Sequence, residues 1–131
     1  MQVLLSLVML AAAIWIVIDS QKIADTGTGN GAAILWDNEF ENFVSSLSVH
    51  CESDMEKVTV YREWIIENIS YDYDCETLFY QTFDVETVLQ NRKGVCFDYA
   101  CLFAAMCRSQ GIPCYVLDGT YRTDKTFRHA W

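Results

Sequence analysis

Residues 93–131 read KGVCFDYACLFAAMCRSQGIPCYVLDGTYRTDKTFRHAW, and this stretch decides the fold of the chain. The segment that starts at Cys96 is rich in Ala, Leu and Met, with apolar residues at helical spacing. One face of the predicted helix carries Cys96, Ala100, Phe103, Ala104 and Cys107. Gly111 ends the helix, and Pro113 prevents its continuation because proline lacks the N–H that a further turn needs. The sequence therefore predicts a helix with a cysteine in its first turn.

Extended and helical segments lie on either side of this helix. After it, Cys114 to Leu117 is β-prone and predicts a short buried strand, and Phe127 to Trp131 begins another extended segment. Before it, residues 54–69 place apolar side chains at steps of three and four, which predicts a core helix. Residues 70–74 break that period and predict a turn, and Asp84 to Gln90 predicts a short capped helix. The pattern indicates a mixed chain of helices and short strands.

Cys96 is the predicted nucleophile. A thiol in the first turn of a helix meets unpaired backbone N–H groups and the positive end of the helix dipole, which favour the thiolate. Gly94 permits the tight turn that presents this side chain, and Lys93 adds a positive charge nearby. Three cysteines further along the chain are predicted to be buried and unreactive, namely Cys101, Cys107 and Cys114.

Catalysis by a cysteine also needs a base within hydrogen-bond reach. His129 is the predicted base, because the only other histidine, His50, lies in a polar stretch that predicts a surface position. Asp98 follows Cys96 by two residues on the helix and points away from it, which favours a structural hydrogen bond over a catalytic role. Trp131 shares a strand face with His129, where its indole can shield the imidazole or simply pack.

Four elements occur in a fixed order, GVCFDYA at Gly94 to Ala100, GIP at Gly111 to Pro113, VLDG at Val116 to Gly119, and HAW at His129 to Trp131. Together they resemble the core of the transglutaminase-like superfamily, and the resemblance extends over Val58 to Trp131. It implies an α+β, papain-like fold with the nucleophile at a helix N-terminus that packs on a short antiparallel sheet. In that arrangement Cys96 takes the position of the nucleophile and His129 that of the base.

The resemblance leaves some parts of a complete site unassigned. The family's orienting aspartate comes from a strand after the HAW motif, whereas the sequence given ends at Trp131. We therefore expect an incomplete sheet, a chain truncated after this motif, and weak or absent activity, since losing the aspartate costs about ten-thousandfold in serine proteases. The backbone N–H of Cys96 is a predicted oxyanion donor. The second donor is left unassigned: Tyr71 and Trp64 are considered for it, although aromatic residues of this kind more often belong to the core or its rim.

The predicted reaction is acyl transfer through a thioester, either peptide or amide hydrolysis or, when an amine replaces water, transamidation. A peptide or protein substrate is the expected partner, and no cofactor or metal is predicted. The formal net charge of -9 and the absence of a basic cluster argue against nucleic acid as a partner. Two alternatives stay open: a catalytically impaired interaction module with the same fold, and a zinc domain that uses several cysteines. The oligomeric state is left open as well.

The amino-terminal part has a different character. Val3 to Ile18 is an apolar run with one serine, long enough to approach the lower limit of a membrane-spanning helix. The predicted organisation is therefore a membrane anchor or export signal at 1–20, a glycine-rich linker at 21–35 and a transglutaminase-like domain at 36–131. We expect the domain to be extracytoplasmic, where Cys51 and Cys75 are the pair freest to form a disulfide.

Overall fold

The computed structural model describes residues 23–25, 33–75, 82–120 and 128–131. Within these ranges the chain forms four helices: α1 (Asn38–Leu47), α2 (Asp54–Asn68), α3 (Val85–Asn91) and α4 (Cys96–Ser109). Its strands are β1 (Ile23–Asp25), β2 (Ala33–Trp36), β3 (Ser70–Tyr71), β4 (Thr82–Asp84), β5 (Lys93–Gly94), β6 (Asp118–Thr120) and β7 (Arg128–Ala130). This combination is an α+β fold, as the sequence predicted.

Side-chain caps explain where the first three helices begin. The side chains of Asp37 and Ser53 accept hydrogen bonds from backbone N–H groups three residues further on, at 2.9 and 3.3 Å. Asp84 caps α3 by accepting from the N–H two residues on, at 3.1 Å. These bonds satisfy donors that have no partner within the helix. The helix predicted over 54–69 is confirmed, and it ends where Ile69 adopts an extended backbone.

Short strands form three small sheets in the described ranges. In the first, β2 lies between β1, which runs antiparallel to it, and β4, which runs parallel. The second joins β3 and β5 in parallel, and the third joins β6 and β7 antiparallel, with Gly119 opposite His129. The antiparallel sheet implied by the family resemblance corresponds to β6 and β7. The two parallel pairs were not predicted.

Helix α4 lies at the centre of the core. It contacts α1, α2 and α3 as well as β2, β5 and β7. Its buried residues are Cys96, Phe97, Asp98, Cys101, Leu102, Ala104, Ala105, Met106 and Cys107. Helix α2 packs against it and buries Tyr61, whose hydroxyl is 2.9 Å from the buried Ser48 hydroxyl. That hydrogen bond removes the penalty of burying two polar groups among apolar side chains.

Two local predictions were wrong. Cys114 to Leu117 does not form a strand, because residues 112–117 lack regular structure and the Cys114 carbonyl accepts from the Arg108 Nε at 2.7 Å instead. Strand pairing begins only at Leu117, which exchanges backbone hydrogen bonds of 2.8 and 2.9 Å with Trp131. Ser70 and Tyr71, predicted as part of a turn, form β3 because β5 offers a partner far away in sequence.

The predicted linker at 21–35 includes residues that form strands. β1 and the first residues of β2 lie inside this range and pair with each other, since apolar residues there form a backbone ladder. Residues 26–32 and the predicted anchor at 1–20 lie outside the described residues. Among the residues that are described, none of the helices is long and apolar enough to span a membrane.

Candidate active site

Cys96 is the first residue of α4, and its side chain is buried. The preceding residue, Val95, has an extended backbone and donates its N–H to the Asp98 Oδ2 at 2.8 Å. This bond fixes the chain as it enters the helix, which is the structural role predicted for Asp98. Burial raises the pKa of the Asp98 carboxyl, the Val95 N–H opposes that rise, and the charge of Asp72 adds to it.

Gly94 makes this hydrogen bond possible. A Cβ added at Gly94 would lie 2.6 Å from the Asp98 Cβ and 3.0 Å from its Oδ2, a separation that real Cβ atoms do not reach. The glycine therefore serves the close approach of a carboxylate rather than a positive φ angle. Its carbonyl accepts from the Asp72 N–H at 2.9 Å, which ties β5 to the chain that follows β3. Gly94, Cys96 and Asp98 therefore act together. The glycine leaves room for the carboxylate, and the carboxylate fixes the residue that precedes the cysteine.

The role predicted for Lys93 needs correction. Its Nζ lies 3.1 Å from the Asp72 Oδ1 and 3.8 Å from the Asp74 Oδ2. The hydrogen bond between Lys93 and Asp72 raises the pKa of Lys93 and lowers the pKa of Asp72. The carboxylates of Asp72 and Asp74 therefore offset the positive charge of Lys93, which was predicted to lie near the Cys96 thiol. The positive end of the α4 dipole lies at Cys96, the first residue of the helix.

His129 lies in the middle of β7, opposite Gly119 of β6. Its ring stacks on that of Trp131, with centroids 5.5 Å apart and planes 28° from parallel, so the two side chains share a face as predicted. Ala130, on the other face, is buried, and β7 packs against α4. Trp131 also lies 3.4 Å from the position that a Cβ on Gly119 would take, so the glycine leaves room for the indole.

Cys96 and His129 line the same cavity, which has a volume of about 420 Å³. Its walls are almost wholly apolar and come from α2, α4 and β7. The other lining residues are Arg62, Ile65, Ile66, Tyr71, Tyr99, Ala100, Phe103, Ala130 and Trp131. The predicted helix face of Cys96, Ala100 and Phe103 thus becomes one wall of the cavity. Nothing in the sequence predicted that residues of α2 would line this cavity.

Of the two aromatic residues considered as oxyanion donors, the structure brings only Tyr71 to the cavity. The Tyr71 ring stacks on Tyr99 at 6.2 Å. Burial raises the pKa of its phenol, the charge of Cys96 raises it further, and a hydrogen bond from the Cys96 backbone lowers it. Trp64 packs elsewhere, edge-on to Phe43 at 5.1 Å and beneath the Arg92 guanidinium.

The remaining cysteines differ from one another. Cys101 and Cys107 are buried as predicted, and burial raises the pKa of the Cys101 thiol to about 12. Cys114 is only partly buried, so the predicted buried position was wrong there, and a hydrogen bond with Cys107 lowers the pKa of its thiol. Cys51 and Cys75 are both partly buried and line two different cavities. His50 is exposed, as expected.

Residues 41–131 match the transglutaminase-like superfamily, and the chain belongs to this family. Membership supports the chemistry of a cysteine-dependent peptidase or acyltransferase in general. Kyphoscoliosis peptidase of Mus musculus is 34% identical over 98 residues, which cover 67% of this chain and 15% of that protein. The chain therefore spans only a small part of this curated relative.

Two solved structures that are similar to this chain have the same fold. A candidate cysteine protease from Cytophaga hutchinsonii superimposes with a TM-score of 0.58 at 26% identity, covering 71% of this chain and 32% of that one. A candidate protease from Parabacteroides distasonis superimposes with a TM-score of 0.54 at 27% identity, covering 66% of this chain and 18% of that one. The fold is therefore that of papain-like cysteine proteases.

Proposed function

We propose that this domain carries the nucleophile and the base of a cysteine-dependent acyl transfer, with peptide or amide hydrolysis as the reaction. The observation that carries the proposal is that Cys96, at the start of α4, and His129, on β7, line one apolar cavity. Apolar walls lower the local dielectric constant and so strengthen charge interactions beside them.

The chemistry follows from the roles of the two side chains. The Cys96 sulfur attacks the substrate carbonyl carbon while the His129 imidazole takes the thiol proton. His129 then returns that proton to the leaving amine, and a thioester to Cys96 remains. Water, deprotonated by His129, hydrolyses the thioester and releases the acid; an amine in place of water yields a new amide. The Cys96 backbone N–H faces the oxyanion in both steps.

Selective alkylation tests whether Cys96 is an activated nucleophile. Iodoacetamide at pH 6, followed by peptide mapping, should label Cys96 faster than Cys51, because a thiolate rather than a thiol reacts. The labelling should disappear in Cys96→Ala, fall in His129→Ala and persist in the matched control Cys101→Ala. Labelling of Cys96 that is no faster than that of Cys51, or that is indifferent to His129→Ala, would contradict the proposal.

A second measurement separates hydrolysis from transamidation and from a binding module. Peptide substrates are incubated with and without a primary amine, and the products are identified by mass. Free acid that predominates even with the amine present supports hydrolysis, and a substituted amide supports transamidation. Tight peptide binding that is equal in the wild type and in Cys96→Ala, without turnover, would indicate an interaction module instead.

We also propose a membrane or export role for residues 1–20, which rests on their apolar composition alone. Fractionation of cells that express the chain with and without this segment tests it. The full sequence should sediment with membranes or leave the cytoplasm, and the shortened form should do neither. Identical distribution of the two forms would refute this part of the proposal.

A further inference from the structure

Two cysteines meet where α4 ends, away from the candidate active site. Cys107 lies in the last turn of α4, and its carbonyl accepts from the N–H groups of Gln110 and Ile112 at 3.1 and 2.9 Å. Gly111, with a φ of 75°, adopts the left-handed conformation that lets the chain turn back over the helix. Cys114 therefore returns to the side of Cys107, and the two side chains are joined by a hydrogen bond.

The surroundings give the two thiols different roles. Cys107 is 1% exposed, whereas Cys114 is only partly buried. The hydrogen bond between the two thiols lowers the pKa of Cys114 and raises that of Cys107, so the more exposed thiol is also the more acidic one. Arg108 holds the segment in place, since its Nε donates to the Cys114 carbonyl at 2.7 Å, and its charge favours the thiolate. A partly exposed, more acidic thiol beside a buried one suits thiol–disulfide exchange, because the thiolate is the form that attacks a disulfide.

We propose that Cys107 and Cys114 form a dithiol site that reacts with low-molecular-weight disulfides and closes an intramolecular disulfide. In the first step the Cys114 thiolate attacks one sulfur of the disulfide RSSR, which gives a mixed disulfide on Cys114 and expels RS⁻. In the second step the Cys107 sulfur attacks the Cys114 sulfur, loses its proton and expels the second RS⁻. The two cysteines are oxidised by two electrons, and RSSR is reduced to two RSH.

The site is independent of the proposed acyl transfer. Cys107 lies eleven residues after Cys96, which is about 16 Å along the helix at the usual rise per residue. The new bond would fasten the carboxy-terminal end of α4 to the segment that leads into β6. It would leave the start of the helix, with Cys96, untouched.

The test uses oxidised glutathione as the probe and tryptic mapping without reduction. Cleavage after Lys93, Arg108 and Arg122 places Cys107 in peptide 94–108 and Cys114 in peptide 109–122. The proposal predicts a joined pair of these peptides, with a mass lower than their sum by two hydrogen atoms. Native protein should form the link roughly tenfold faster than protein unfolded in urea, because the fold holds the two thiols together.

Variants and fragmentation identify which cysteine of peptide 94–108 takes part. Cys107→Ser should abolish the link and leave glutathione attached to Cys114, whereas Cys101→Ser, a buried position on the same helix, should leave the link intact. Fragmentation of the joined wild-type peptides should assign the bond to Cys107 and Cys114 even if a variant folds poorly. A link through Cys96 or Cys101, or equal rates in native and unfolded protein, would overturn the proposal.

Discussion

At the scale of single residues, the start of α4 depends on an atom that is absent from Gly94. The Asp98 carboxylate occupies the space where any other side chain at this position would begin, and it holds the Val95 N–H at 2.8 Å. Val95, which precedes the proposed nucleophile, and Asp98, the third residue of the helix, are thus fixed to each other. The position of Cys96 between them follows from backbone geometry rather than from its own contacts.

Gly94→Ala should destabilise the fold by about 1 to 3 kcal/mol, the usual range for overpacking a buried site. The reason is the 2.6 Å approach to the Asp98 Cβ, which lies too near the backbone to move aside. Urea unfolding measures the effect. The matched control is Gly119→Ala, where the added atom meets only the Trp131 ring at 3.4 Å and the loss should be much smaller. Equal losses in the two variants would contradict this account.

Asp98 also predicts a pH dependence of stability. Burial raises its folded-state pKa above the ordinary value of 3.8, so between these two values the folded state binds more protons than the unfolded state. The contribution of this residue to stability therefore falls as pH rises through that window. Asp98→Asn, which keeps an acceptor for the Val95 N–H, should lose this dependence. Urea unfolding of both proteins from pH 3 to 7 tests it, and parallel pH profiles would refute it.

Tyr71 predicts an effect on rate rather than on stability. Its hydroxyl lies at the Cys96 backbone N–H, which places it beside the oxyanion of the proposed reaction. Tyr71→Phe should lower kcat by roughly ten- to a hundredfold, with little change in KM, if the hydroxyl donates to that oxyanion. Tyr73→Phe is the matched control, because Tyr73 is 88% exposed and its ring lies tilted against that of Tyr71, with the centroids 4.9 Å apart. A kcat that is unchanged in Tyr71→Phe would remove this tyrosine from the mechanism.

At the scale of elements, one hydrogen bond connects α4 to the end of α2. The Tyr99 hydroxyl donates to the Ile69 carbonyl at 2.6 Å, just where α2 stops. Tyr99→Phe should therefore lower the free energy of unfolding by about 1 kcal/mol. Tyr115→Phe, at a position 60% exposed, should have almost no effect. Urea unfolding of the two variants compares them directly, and a neutral Tyr99→Phe would show that this connection is unimportant.

How far the sequence predicts these elements depends on whether the determining contact is local. The helices containing Tyr61 and Cys96 were predictable because burial at a helical period repeats every three or four residues. The strand at Ser70 was not, because its partner Lys93 lies 23 residues away and only two residues pair. The candidate site divides in the same way: the spacing predicted a structural hydrogen bond for Asp98, whereas the close approach of the Asp98 carboxylate that Gly94 permits was not predicted. The ion pair between Lys93 and Asp72 could not be predicted, because Asp72 is far from Lys93 in the sequence.

At the scale of the whole molecule, the net charge of -9 should make stability depend on salt. Like charges repel more strongly in the compact state, and raising NaCl from 0.01 to 1 M shortens the Debye length from about 30 to about 3 Å. The urea midpoint should therefore rise with salt at pH 7. The rise should shrink near the pI of about 4.4, where the net charge vanishes. A salt effect of equal size at both values would contradict the charge explanation.

The pairing of β6 with β7 has a consequence for how the chain can vary. Successive side chains of a strand project to opposite faces, so moving β7 along β6 by a single position would exchange His129 with Ala130. The His129 imidazole would then point into the contact with α4, and the Ala130 methyl group would point towards Cys96. A shift of the pairing by an odd number of residues would therefore turn His129 away from Cys96 and abolish the proposed chemistry. A shift by an even number would keep His129 on the same face of the strand.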